Sequence, residues 1–131
     1  MTSLPLTAFV TLLVVLLQLV TGLNVARARG RYGVNAPAVT GHEMFERAFR
    51  IQMNTLENAA LMLPALWIFA GFIDDRGAAV LGGLWIAARV WYAIAYQNDP
   101  KKRGPGFGLA MLAFTGLWLG ALWGVLRVMV H

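Results

Sequence analysis

Hydrophobic positions in this chain fall into four continuous runs, roughly residues 4–26, 53–73, 77–96 and 107–130. None alternates with a period of two, as a membrane barrel strand would. Each run is close to the roughly 20 residues a helix needs to cross a bilayer core, and a helix satisfies its own backbone groups in lipid. The pattern predicts an all-α membrane protein: a four-transmembrane-helix bundle in a single domain over residues 1–131, with helices at about 4–26, 41–73, 77–98 and 107–130.

The polar intervals set the expected helix ends. Residues 27–40, with Arg27, Arg29, Arg31, Gly33 and Pro37, read as an irregular loop. Thr40 and Glu43 have capping-box spacing, which starts the second helix near Gly41, ahead of its apolar run. Asp74, Asp75, Arg76 and Gly77 read as a tight hairpin. Asp99 precedes Pro100 and is biased away from helical geometry, so the third helix should stop near Asn98, before a basic turn over residues 101–106. Gly116, Gly120 and Gly124 recur every fourth residue on the last helix and predict a close-packed seam, with Trp118 and Trp123 facing lipid or packing.

Composition strengthens the membrane reading: 59% of residues are hydrophobic and 13% charged, too apolar for a small water-soluble fold. The first run lacks a basic leader and exceeds the roughly 7–15 apolar residues of a signal peptide, so a retained span is expected. The chain has no cysteine, which excludes disulfides, thiolate metal ligands and a protein thiol nucleophile. No metal site is expected, and any sulfur chemistry must arrive with a ligand. The net charge of +5 comes from basic residues in short loops. That placement fits membrane topology and anionic membrane lipids better than nucleic acid, which is not expected as a partner. Arg27, Arg29, Arg31, Lys101, Lys102 and Arg103 should lie on the cytoplasmic side, opposite Arg76 and Arg127, which places both termini extracytoplasmic.

Candidate chemistry concentrates where residues 45–58 enter the second apolar run. That run needs polar residues from about Met53 onward to span, so Asn54 and Glu57 are drawn below the membrane surface. Ionisable groups at that depth cost about 2.5–3.5 kcal/mol on insertion scales and are functional candidates by default. At about 100° per residue, Glu43, Arg47, Arg50, Asn54 and Glu57 fall within an arc of about 80°. Arg89, Tyr92 and Tyr96 share a face of the third helix, and the two polar faces should meet. One reading is a Glu57–Arg89 ion pair that only neutralises buried charge. The other is an anionic ligand with several carboxylates, because the arginines at this mouth outnumber the carboxylates.

The run Phe45-Glu46-Arg47-x-x-Arg50-x-Gln52-x-Asn54-x-x-Glu57-Asn58, then Arg89-x-x-Tyr92-x-x-x-Tyr96 and a basic loop ending at Arg103, resembles the MAPEG family. These are the membrane-associated proteins in eicosanoid and glutathione metabolism; the resemblance is to microsomal glutathione transferases and their bacterial relatives. It covers nearly the whole chain. It implies a homotrimer in a bacterial inner membrane, with glutathione as co-substrate bound between adjacent subunits near the cytoplasmic side. It also implies that Arg29, Arg50, Gln52, Asn54, Glu57, Arg89, Tyr92 and Tyr96 bind glutathione, while Arg103 is catalytic and stabilises the glutathione thiolate. The second substrate would be hydrophobic and lipid-like, entering a crevice lined by Trp85, Phe107 and Leu109.

Without the resemblance, Arg103 reads first as part of a positive-inside cluster with Lys101 and Lys102. Two positions depart from the family pattern: Asn58 stands where a tyrosine often follows the motif glutamate, and Gly30 splits the first-loop basic residues. The expected function is a glutathione-dependent membrane transferase or peroxidase. A non-catalytic lipid-binding or scaffold trimer of the same family is the alternative, and a small transporter using Glu57 and Arg89 is a third reading.

Overall fold

The computed structural model describes residues 3–131; the expected domain start at Met1 lies outside the described residues. Four α-helices follow one another: α1 (Pro5–Tyr32), α2 (Glu43–Phe72), α3 (Asp75–Asn98) and α4 (Gly104–Val130), with one 3₁₀ turn over Pro100–Lys102 between the last two. All four are long and apolar enough to cross a membrane, so the chain is a multi-pass integral membrane protein. No strand occurs among the described residues.

Helix ends follow capping chemistry more closely than hydropathy. α1 runs six residues past its apolar run, so Arg27, Arg29 and Arg31 are helical, not part of an irregular loop. Its stop is Gly33, left-handed at φ 68°, whose flanking amides close onto the Arg29 carbonyl. The Thr40–Glu43 capping box does not form. Gly41, at φ 142°, turns the chain so that His42 becomes the extended N-cap. The His42 imidazole accepts from the Met44 N–H at 3.1 Å and stacks on Tyr32, while Glu46 accepts from the Gly41 N–H at 3.2 Å.

The hairpin between α2 and α3 is tighter than expected because Asp74 caps α3 by accepting from Gly77 N–H, and the helix already begins at Asp75. Asp75 in turn caps α1, which has no side-chain cap of its own. Its carboxylate accepts from the Leu6 and Thr7 amides at 3.1 and 2.8 Å and from the Thr7 hydroxyl at 2.7 Å. α4 starts three residues earlier than expected, with Pro105 in the first turn, where a missing N–H costs no hydrogen bond.

α2 and α3 each pack against the other three helices. The α2 core residues Met62 and Leu66 meet Trp85 and Ala88 of α3 and Leu117 and Ala113 of α4. α2 continues through Pro64, as spans do when the freed carbonyl is accommodated locally. The expected glycine seam on α4 forms at two of its three positions: a Cβ at Gly120 would strike the Phe69 ring and one at Gly124 would come within 2.7 Å of Phe72 Cβ, whereas one at Gly116 would meet only Leu81, at 3.6 Å. Trp118 and Trp123 are exposed on the bundle surface.

Candidate functional site

Two registers bring the candidate residues together. On α2, Arg50 and Asn54 are one helical turn apart, and on α3 Tyr92 and Tyr96 are likewise one turn apart, their rings tilted at 45° with centroids 5.6 Å from each other. These four residues, with Arg103 and Phe107 at the start of α4, line an open cavity of about 500 Å³. That size lies within the roughly 300–1,000 Å³ usual for small-molecule sites. Beside the cavity, Gly106 lets α4 approach α3 closely: a Cβ there would lie 2.6 Å from the Tyr92 backbone nitrogen. The Tyr92 ring is 6.3 Å from Phe107, and the Arg103 guanidinium sits 5.9 Å from the Tyr96 ring centroid.

Arg89 is the deepest charged group, with 0% of its surface exposed. It does not pair with Glu57, which corrects one of the two sequence readings. Its Nη2 donates to Asn54 Oδ1 and to Thr55 Oγ1, both at 2.8 Å, and its guanidinium lies 4.1 Å from the Tyr92 ring centroid. Nε and Nη1 have no hydrogen-bond partner. Glu57 instead accepts from Arg50 at 3.3 Å, two turns away on the same helix, with side chains 55% and 52% exposed respectively. The polar faces of α2 and α3 do meet, through amide and hydroxyl groups.

Asn58 also takes part: its Nδ2 donates to the Asn54 carbonyl at 2.8 Å and to Asn54 Oδ1 at 3.3 Å. Arginine has only donors, so the Arg89 contact fixes which end of the Asn54 amide is the oxygen. Both donors onto that oxygen leave the amide nitrogen of Asn54 for other partners. Arg47 does not reach the cavity; it pairs with Glu43 at 2.6 Å and donates to the carbonyls of Gln97 and Asn98, tying the start of α2 to the end of α3.

Of the expected residues that do not line the cavity, Arg89 stands behind Asn54 and Glu57 is held by Arg50, while Gln52 and Arg29 lie elsewhere in the protomer. Gln52 faces α1, where its side-chain amide lies against Gly22 and its backbone carbonyl accepts from Gln18 Nε2. Arg29 donates to the carbonyls of Ala38 at 2.7 Å and Val34 at 3.5 Å and lies over the Phe45 ring, holding the α1–α2 connection. The expected acceptor crevice is also revised. Trp85 is 1% exposed in the core and Leu109 packs against that core, so only Phe107 of the three borders the cavity. Thr55 and Gly106 escaped the sequence reading. Thr55 is one residue from the polar stripe, and its burial at the α3 contact is what marks it.

Chemically, the cavity presents two guanidinium groups, with a third directly behind Asn54. The carboxylate of Glu57 does not line it but is paired with Arg50, which does. The arrangement suits a ligand bearing more than one anionic group, with one carboxylate beside the cavity for a cationic group. The N-terminus of α4 adds positive potential beside Arg103. Among the described residues there is no cluster of metal-ligating side chains.

The family model of MAPEG matches residues 7–123. An uncharacterized protein of Synechocystis sp. is 47% identical over 91% of this chain and 87% of its own length. Human microsomal glutathione S-transferase 2 is 40% identical over 76% of this chain and 69% of its own, and rat leukotriene C4 synthase is 36% identical over 95% and 81% respectively. By the extent of these matches and the four-helix architecture that carries the motif residues, the chain belongs to the MAPEG family.

Proposed function

We propose that this protein is a glutathione-dependent membrane transferase or peroxidase. The observation that carries the reading is the cavity of Arg50, Asn54, Tyr92, Tyr96 and Arg103, where cations outnumber carboxylates at the basic end of the spans. Glutathione brings two carboxylates for guanidinium groups and one ammonium for Glu57. Its thiol supplies the sulfur that the cysteine-free chain lacks.

Arg103 and the start of α4 hold a thiolate by fixed positive charge. A free thiol has a pKa near 8.5, and each unit of depression corresponds to about 1.4 kcal/mol of preference for the anion. In conjugation, the thiolate sulfur forms a bond to an electrophilic carbon, and the displaced electron pair leaves on the acceptor. In peroxide reduction, it attacks the distal oxygen, the O–O bond breaks to give an alcohol, and a second glutathione completes the disulfide with loss of water. The exposed apolar surface of the helices gives a lipid-like acceptor access from the bilayer.

Gln52 and Arg29 face away from this cavity, so their contacts with the same glutathione would come from a neighbouring subunit. A homotrimer with glutathione at the subunit junctions accommodates all the proposed binding residues. The membrane is proposed to be a bacterial inner membrane, with the basic end of the bundle cytoplasmic.

Asn58 favours a second reading, a non-catalytic lipid-binding trimer, because its amide is turned onto Asn54 where a phenol is often found. Titration calorimetry in detergent tests the leading reading. Millimolar or tighter glutathione binding that weakens in Arg50→Ala supports it, and no binding at millimolar concentration contradicts it. Thiolate formation without turnover on any electrophile supports the second reading. Native mass measurement of the detergent-solubilised protein should give the trimer.

A further inference from the structure

A second concave surface lies on the other side of α2, between α1 and α3. It consists of a crevice of about 360 Å³ and a continuation of about 230 Å³ that share Asn24, Ala48 and Gln97. The inner part is walled by Leu17 and Val20 of α1 and by Val90 and Ile94 of α3. Its outer part is bordered by Arg27 and Arg31. None of these residues belongs to the glutathione cavity.

The order of chemistry along the surface is that of a phospholipid. From Leu17 to Asn24 the helical rise is about 10 Å, most of the roughly 15 Å of one leaflet's hydrocarbon. The amides of Asn24 and Gln97 form a polar collar above it, and another turn along α1 brings Arg27 and then Arg31. Neither arginine has a carboxylate partner among the described residues. Gln97 donates its Nε2 to the Met44 carbonyl and leaves Oε1 buried without a donor, an orphan acceptor that a bound hydroxyl would satisfy. A neutral hydrocarbon would leave both cations and this acceptor unanswered.

We propose that this α1–α3 groove is a binding site for one anionic phospholipid, with an acyl chain between Leu17, Val20, Val90 and Ile94 and the phosphate held by Arg27 and Arg31. A headgroup with hydroxyls, as in phosphatidylglycerol, fits the free acceptor of Gln97. The proposal is independent of glutathione binding.

The full-length protein in mild detergent is titrated with phosphatidylglycerol or phosphatidylcholine of matched chains, and retained lipid is counted by native mass spectrometry. Phosphatidylglycerol should be retained selectively. The R27Q/R31Q double variant should weaken it about 30-fold, as expected for two arginines near a charged headgroup. Val90→Trp should remove it with both arginines intact, because its bulk fills the groove. Thermal unfolding and particle size verify that each variant is folded, and either variant alone suffices if the other fails. Equal retention of both lipids overturns the proposal. So does loss in Val90→Trp with the double variant unaffected, which leaves only an apolar crevice, and so does the converse, which leaves only diffuse attraction. A second copy of the chain covering the groove would show as no retained lipid at all, again overturning it.

Discussion

At the end of the bundle where α2 turns into α3, charged side chains serve the backbone: Asp74 caps α3, Asp75 caps α1, and Arg127 donates to the Phe72 carbonyl at 3.0 Å. At the opposite end, Arg50 and Arg103 face an open cavity, Arg27 and Arg31 border a groove, and Arg89 is buried with two unpartnered nitrogens. Both ends are polar, and the second also spends Arg29 and Arg47 on backbone carbonyls, but it alone adds arginines turned to a cavity or a groove. The comparison separates a structural use of charge from one that awaits a ligand, and it predicts that mutations at the two ends will dissociate stability from binding.

The largest expected effect comes from Gly106→Val, which forces α4 away from the Tyr92 backbone. Overpacking of this kind costs about 1–3 kcal/mol and more where backbone is the obstacle, so thermal unfolding in detergent should show strong destabilisation together with loss of glutathione binding. Asp75→Ala should come next, with a clear fall in the unfolding temperature, since it removes the acceptor for two helix N-terminal amides and a hydroxyl. Glutathione affinity measured by calorimetry should be unchanged in that variant. Arg50→Ala should be nearly silent in unfolding, by less than about 1 kcal/mol, because an exposed ion pair contributes little. Its glutathione affinity should nonetheless fall by roughly tenfold or more, as expected for losing a charge-assisted contact. If Asp75→Ala weakened binding as much as Arg50→Ala does, the distinction between the two ends would fail.

Much of this architecture was legible in the sequence because four uninterrupted apolar runs leave few alternatives to four spans. The helix ends were less so. α1 continues through Arg27, Arg29 and Arg31 because Gly33 stops it, and nothing apolar marks those last turns. Asp75 is adjacent to its own helix start, yet its partners are 68 and 69 positions away, a pairing no local pattern reveals. Within the candidate site, helical spacing placed Arg50 with Asn54 and Arg89 with Tyr92 and Tyr96. Glu57 and Arg89 lie at similar depth but do not pair, because the rotation of each helix about its own axis presents Thr55 and Asn54 to α3. Gln52 lies about 200° around α2 from Arg50, so its separation from the cavity could have been read from the same helical period.

The central claim is that the basic end of the bundle ionises a bound thiol through Arg103. Ultraviolet difference absorbance of glutathione on the purified protein at neutral pH tests it most directly. The account predicts a thiolate band in the unaltered protein that disappears in Arg103→Ala while calorimetry still detects bound glutathione. A thiolate band that persists in Arg103→Ala, or bound glutathione that remains a thiol in the unaltered protein, would contradict it.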